Sequence, residues 1–229
     1  MQDYFESIRT GETGKKFDAF YEMLTDYNKR FNLTRITERG ECDVKHFYDS
    51  LAGERWFPQG AKCAEVGSGA GFPSVPLMIV RPDLRFTLFE SVGKKTDFLK
   101  AAVKELGLSA EVFTLRAEDA ARHIGFRAMF DVVCARAVAK LNTLCEYCLP
   151  LVKVGGRMVA YKGGDAEEEI EGARNAMQVL GGQLQSAESF SLPSPSFNCS
   201  TCFAVRPSFH RMAGRITRSS SSSITSPCI

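Results

Sequence analysis

The chain has 229 residues, 44% hydrophobic and 24% charged, with a formal net charge of +2, which suits one α/β domain with a full core and neither demands nor excludes a nucleic-acid partner. No run nears the roughly 18 consecutive apolar residues of a membrane span. The first 30 residues carry acids throughout and do not read as a signal peptide, so the expectation is a cytoplasmic protein with no membrane partner.

Near the start, Phe17, Phe20, Tyr21 and Leu24 recur at helical spacing and predict an amphipathic helix over Lys15–Tyr27. A second short helix is expected across Val44–Leu51, with Val44, Phe47, Tyr48 and Leu51 on one side. Residues 1–60 therefore read as an N-terminal helical extension. They hold nine Lys/Arg and eleven Asp/Glu, so this is no basic arm.

From Lys62 the pattern changes to alternating strand and helix. Strands are expected at Cys63–Val66, Phe86–Glu90, Glu111–Leu115, Phe130–Cys134 and Arg157–Tyr161. Between them come helices at Lys94–Leu106 (stopped by Gly107) and Leu141–Leu151, and a third follows at Glu167–Leu180. That rhythm means a mostly parallel sheet with helices on both faces, an α/β domain spanning residues 61–206. After Ser191 the chain turns rich in Ser and Pro. Thr201–Arg206 is expected as an edge strand, and residues 207–229, which end in a Ser/Arg-rich tail, as disordered.

Eight cysteines include two Cys-x-x-Cys pairs, Cys145/Cys148 and Cys199/Cys202. Fifty residues separate the pairs, well beyond the ~15–20 of a compact four-cysteine zinc site. Buried thiols are the expectation, and no metal.

The strongest local signal is Glu65-Val66-Gly67-Ser68-Gly69-Ala70-Gly71-Phe72-Pro73, directly after the first strand. Glycines at every second position let the backbone turn tightly and bring N–H groups close to a ligand. A dinucleotide fingerprint would need glycine where Phe72 stands, and a Walker loop would need Gly-Lys-Ser/Thr. Acid-x-Gly-x-Gly-x-Gly is the arrangement of S-adenosylmethionine enzymes. The second strand ends in Glu90, 23 residues after Gly67, near the ~20-residue offset at which an acid meets ribose hydroxyls.

Other stretches, in order along residues 15–190, make a specific resemblance. Tyr27–Thr34, His46–Leu51, Gly67–Pro73, Leu88–Ser91 with Lys94-Lys95, Arg116-Ala117-Glu118, Ala135–Val138 and Lys162–Gly164 together resemble the GidB family of 16S rRNA guanine-N7 methyltransferases. The resemblance implies a Rossmann-like class I methyltransferase fold with a mostly parallel seven-stranded sheet. It implies S-adenosylmethionine as methyl donor and 16S rRNA of the small ribosomal subunit as partner, while a single compact domain makes a monomer the expectation. The implied cofactor contacts are Gly67 and Phe72 in the loop, Ala117 and Glu118 after the third strand, and Arg136 after the fourth; Gly69 of the same loop and Glu90 at the end of the second strand join them from the motif itself. Guanine N7 carries no proton, so no general base is expected. Lys29, Arg30 and Lys162 are candidates for holding RNA, and His46 is structural or RNA-facing. Two places depart from the pattern: Ser74 stands where the family has glycine, and the tail only echoes the family's basic end. The alternatives are a methyltransferase of another substrate and a non-catalytic RNA-binding protein that keeps the fold.

Overall fold

The computed structural model describes residues 2–163, 166–190 and 200–207. The tail beyond Pro207, with the disorder expected for it, lies outside them. Seven strands form one sheet in the order β3-β2-β1-β4-β5-β7-β6. They are β1 Lys62–Val66, β2 Arg85–Glu90, β3 Ala110–Thr114, β4 Phe130–Arg136, β5 Val152–Gly163, β6 Gly182–Phe190 and β7 Ser200–Pro207.

β1 to β5 run parallel, and β7 lies antiparallel between β5 and β6. The central strands are buried on both faces, which is why they read as short apolar runs. Alternate residues then feed two cores. Cys63, Val132, Cys134, Val159 and Tyr161 face one, while Ala64, Val133, Ala135, Met158 and Ala160 face the other.

The second core lies under α7 Ala117–Arg122, α8 Leu141–Cys148 and α9 Ala166–Leu180. The first is closed by α5 Ser74–Val80, α6 Gly93–Glu105 and the N-terminal helices. Those helices begin with α1 Gln2–Ile8 and α2 Gly11–Asn28, whose Phe17, Phe20 and Leu24 are fully buried. α3 Arg39–Cys42 then runs through a π-helical stretch, Asp43–Tyr48, into α4 Asp49–Leu51. The Glu38 carboxylate caps α3, accepting the N–H groups of Gly40 and Glu41.

Phe20 and Phe47 pack with Phe72 of the glycine loop, and Phe20 with Phe98 of α6. The core is therefore continuous across residue 60. Tyr161 of β5 fastens the far end of the extension, its hydroxyl donating to the Ser50 carbonyl at 3.0 Å. Only glycine fits at 53, where a Cβ would lie 2.3 Å from the Tyr161 hydroxyl.

Three expectations change. β7 is not an edge strand, because it inserts between β5 and β6 and leaves β6 at the margin. β6 itself had no counterpart in the strands expected from the sequence. The helix expected over Leu141–Leu151 ends at Cys148 and finishes in a 3-10 turn, Leu149–Leu151, containing Pro150. Among the described residues, six cysteines are buried free thiols. No helix there is long and apolar enough to cross a membrane.

Candidate active site

The chain travels from β1 outward through β2 to β3, then returns to place β4 on the other side of β1. Such a switch leaves a crevice at the carboxyl ends of the strands, where open α/β sheets bind ligands. Here the backbone leaves Val66 through Gly67, Gly69 and Gly71 at φ +68°, +54° and +87°. L side chains rarely adopt these angles. Space is short as well: a Cβ on Gly67 would lie 2.6 Å from Val138 Cγ2, and one on Gly71 2.6 Å from Val75 Cγ2. The N–H groups of Gly67 and Ser68 donate to the Phe89 carbonyl at 2.8 and 3.1 Å, so β2 holds the loop in place.

Glu90 closes β2 and is buried. Its Oε2 accepts the Gly69 N–H and its Oε1 the Val92 N–H, each at 2.9 Å. One carboxylate thus braces the loops after both strands. With about four lone-pair sites on its two oxygens, it keeps capacity for vicinal hydroxyls.

Beneath the loop, Glu65 is completely buried, with the Ser74 hydroxyl and backbone N–H beside its carboxyl. Burial raises its carboxyl to about 8; the Ser74 hydroxyl and the Arg136 charge pull the other way without offsetting it. Ser74 is itself completely buried.

Opposite the glycine loop, the N-terminal segment supplies a wall. Arg136, at the end of β4, donates from Nη1 to Asp49 Oδ2 at 2.8 Å, an ion pair whose side chains are only 12% and 10% exposed. The same guanidinium lies 4.9 Å from the centre of the Phe72 ring and 3.2 Å, through Nη2, from His46 Nδ1. His46 stacks on Phe72 at 4.4 Å, and its Nε2 meets the Thr34 hydroxyl at 2.8 Å. Burial, and then the Arg136 charge, lower the His46 pKa to about 3, so its ring is neutral near pH 7.

His46, Phe72 and Arg136 line a cavity of about 440 Å³ together with Leu33, Thr34, Gly67, Gly69 and Glu90. Its size, the side-chain-free glycine cradle and the buried carboxylate with spare lone pairs suit an adenosine-type ligand.

Of the residues singled out in the sequence, Gly67, Gly69, Phe72, Glu90 and Arg136 meet at this cavity. Ala117 and Glu118 begin α7 and do not line it; Glu118 lies against Tyr147, whose phenol it holds above the usual range. Lys29 and Arg30 stand exposed at the end of α2, both facing Asp26. Lys162 is drawn inward, with Nζ 2.8 Å from Glu169 Oε1 and 2.8 Å from the Ala139 carbonyl. Sequence reasoning missed Thr34 and Asp49. Asp49 sits three residues after His46 in a helical stretch, but its partner Arg136 is 87 residues away.

Fold and site together define a class I S-adenosylmethionine-dependent methyltransferase. The chain belongs to the GidB family: the family model described as rRNA small subunit methyltransferase G matches residues 13–198. It is 44% identical over 184 residues to the ribosomal RNA small subunit methyltransferase G of Lactobacillus delbrueckii subsp. bulgaricus, covering 78% of this chain and 77% of that one. Over 181 residues it is 45% identical to the protein of that name from Geobacillus kaustophilus, covering 78% and 76%. Among solved structures, a SAM-dependent O-methyltransferase from Thermotoga maritima matches with a TM-score of 0.53 at 14% identity, over 80% of this chain and 71% of that one. A ribosomal protein L11 methylase from Lactobacillus delbrueckii subsp. bulgaricus matches at 0.54 and 11%, over 72% and 79%. These two likenesses concern the fold alone.

Proposed function

We propose that this protein transfers a methyl group from S-adenosylmethionine to N7 of one guanine in 16S rRNA of the small ribosomal subunit. Family membership supports the substrate, and the cavity between the glycine loop and the Thr34–His46 wall is the observation that carries the chemistry. Gly67 and Gly69 would make room for the amino-acid end of the cofactor, Glu90 would take the ribose hydroxyls, and Phe72 and Arg136 would close the site. Ala117 and Glu118 would lie toward the adenine, on the strength of the family resemblance.

S-adenosylmethionine held there would supply a methyl on cationic sulfur to the in-plane lone pair of N7, with sulfur keeping the electrons of the broken bond. N7 carries no proton, so no residue needs to act as a base. The neutral His46 and the paired Arg136 instead give the site a fixed wall against which the base is aligned, and alignment is worth a large share of such a barrier. Lys29 and Arg30 are placed to meet RNA phosphate, as exposed basic side chains do in RNA sites. Lys162, held by Glu169, would act on RNA only if released. The reading carries with it a monomer working in the cytoplasm, with residues 1–60 as the extension that completes the site of the 61–206 domain.

The test is incubation with small ribosomal subunits and methyl-labelled S-adenosylmethionine. Label in the RNA is the expected result. Cofactor binding without label in RNA would contradict the proposal and favour a non-catalytic RNA-binding role.

A further inference from the structure

Thr34 holds an unusual position at the cavity. Arg136 has only N–H donors, so His46 Nδ1, facing its Nη2, must be the acceptor. The neutral ring then carries its proton on Nε2, and that N–H donates to Thr34 Oγ1. The Ile36 N–H donates to the same oxygen at 3.1 Å. Both lone pairs of the hydroxyl are therefore occupied, and its own proton meets no acceptor among the described residues while Thr34 lines the cavity. The Thr34 backbone is fixed too, its N–H donating to Asn28 Oδ1 at 3.0 Å. A hydroxyl is ordinarily both donor and acceptor, but this one can only donate.

The edge of guanine that presents N7 also presents O6, and both are acceptors. The same edge of adenine places an amino donor beside N7. We propose that Thr34 is the specificity-determining residue of the methyl transfer, its hydroxyl donating to O6 of the guanine whose N7 faces the methyl donor. The proposal rests on the guanine-N7 reading above. A donor-only hydroxyl accepts O6 and meets the adenine amino group as donor against donor. Methylation makes the base cationic and O6 a poorer acceptor, so the contact selects the base without accelerating the chemical step. The glycine loop and Glu90 of the cavity follow β1 and β2, whereas Thr34 stands on the wall supplied from outside the sheet.

The experiment compares two reconstituted small subunits, one with guanine at the target position and one with 2-aminopurine, which keeps N7 but lacks O6. Wild type is expected to favour guanine about tenfold or more in kcat/KM, the worth of one hydrogen bond to a site that has no other partner. In Thr34→Val the preference should collapse to within about threefold, since a donor worth little more than a kcal/mol has been removed. Thr34→Ser should restore it. A purely structural role for Thr34 would lower both rates together and leave the ratio unchanged, which would overturn the proposal. No N7 product from the wild type would overturn the guanine-N7 reading as well, whereas an N7 product with an unchanged ratio in Thr34→Val would overturn this proposal alone.

Discussion

Glu65 and Gly67, two residues apart, show how differently one motif spends its positions. At Gly67 both the backbone angle and the 2.6 Å approach of Val138 exclude a side chain. Gly67→Ala should weaken S-adenosylmethionine binding about tenfold or more, a loss readable by calorimetry, because left-handed strain of 1–2 kcal/mol adds to the clash. An unchanged affinity would mean the glycine loop does not cradle the cofactor. Glu65, by contrast, bears on stability. Unfolded, its carboxyl ionises above about 4.5; folded, it keeps its proton up to about 8. The folded state binds the extra proton between those values, so this group's contribution is full below pH 4.5 and is lost as pH rises toward 8. Glu65→Gln should therefore be more stable than wild type at pH 8, with the gap shrinking on the order of 1 kcal/mol per pH unit toward pH 5. Urea denaturation at several pH values checks this, and a gap independent of pH would refute it. The acid was legible in the sequence as part of the loop motif. Its complete burial was not, since that depends on Ser74, Cys134 and Leu88 closing around it.

At the scale of elements, the site depends on one stretch, Arg39–Leu51, seated on the ends of β4 and β5. Arg136 and Tyr161 are register partners on those strands, and they grip Asp49 and the Ser50 carbonyl respectively. Asp49→Ala would leave the Arg136 charge buried and unpaired, at a cost of about 3–5 kcal/mol in unfolding free energy. Replacing both partners with apolar residues of similar volume should recover most of that loss. A single-mutant effect below about 1 kcal/mol, the value of an exposed pair, would mean the segment is held some other way. Most of the sheet was legible: β1, β2 and β4 are buried on both faces, so their sequences are nearly continuous apolar runs. β6 was not, because its residues alternate between half-buried and exposed along a marginal strand, and Gly182–Phe190 carries few apolar side chains. The place of β7 between β5 and β6 is set by pairing with two strands distant in the chain, and nothing local in Ser200–Pro207 records it. The helix over Val44–Leu51 was read from its apolar spacing, but the π-helical turn within it has no signature in that pattern.

For the whole molecule, the boundary near residue 60 is one of chain order rather than of core. Phe17, Phe20, Leu24 and Phe47 share one hydrophobic cluster with Phe72, Phe98 and the sheet. Burying a large apolar side chain contributes roughly 1.5–3 kcal/mol, and four such residues rival the whole net stability of a typical domain. A chain beginning at residue 61 should therefore lack a cooperative thermal transition by circular dichroism. A sharp transition near that of the full chain would show that the extension merely decorates the fold. The same packing explains why Thr34, His46 and Asp49 were hard to foresee as one wall: the extension reads as a separate amphipathic piece until its helices are seen against the strand ends. Transfer of one methyl to one guanine N7 is read by mapping the product. Small subunits lacking the modification would be treated with enzyme and S-adenosylmethionine, and their 16S rRNA probed by borohydride reduction and aniline cleavage, which cut at N7-methylated guanine. One new cleavage site is expected with the wild-type chain and none with Gly67→Arg. Methyl incorporation without such a cut, or a cut that persists in Gly67→Arg, would contradict the proposed transfer at this site.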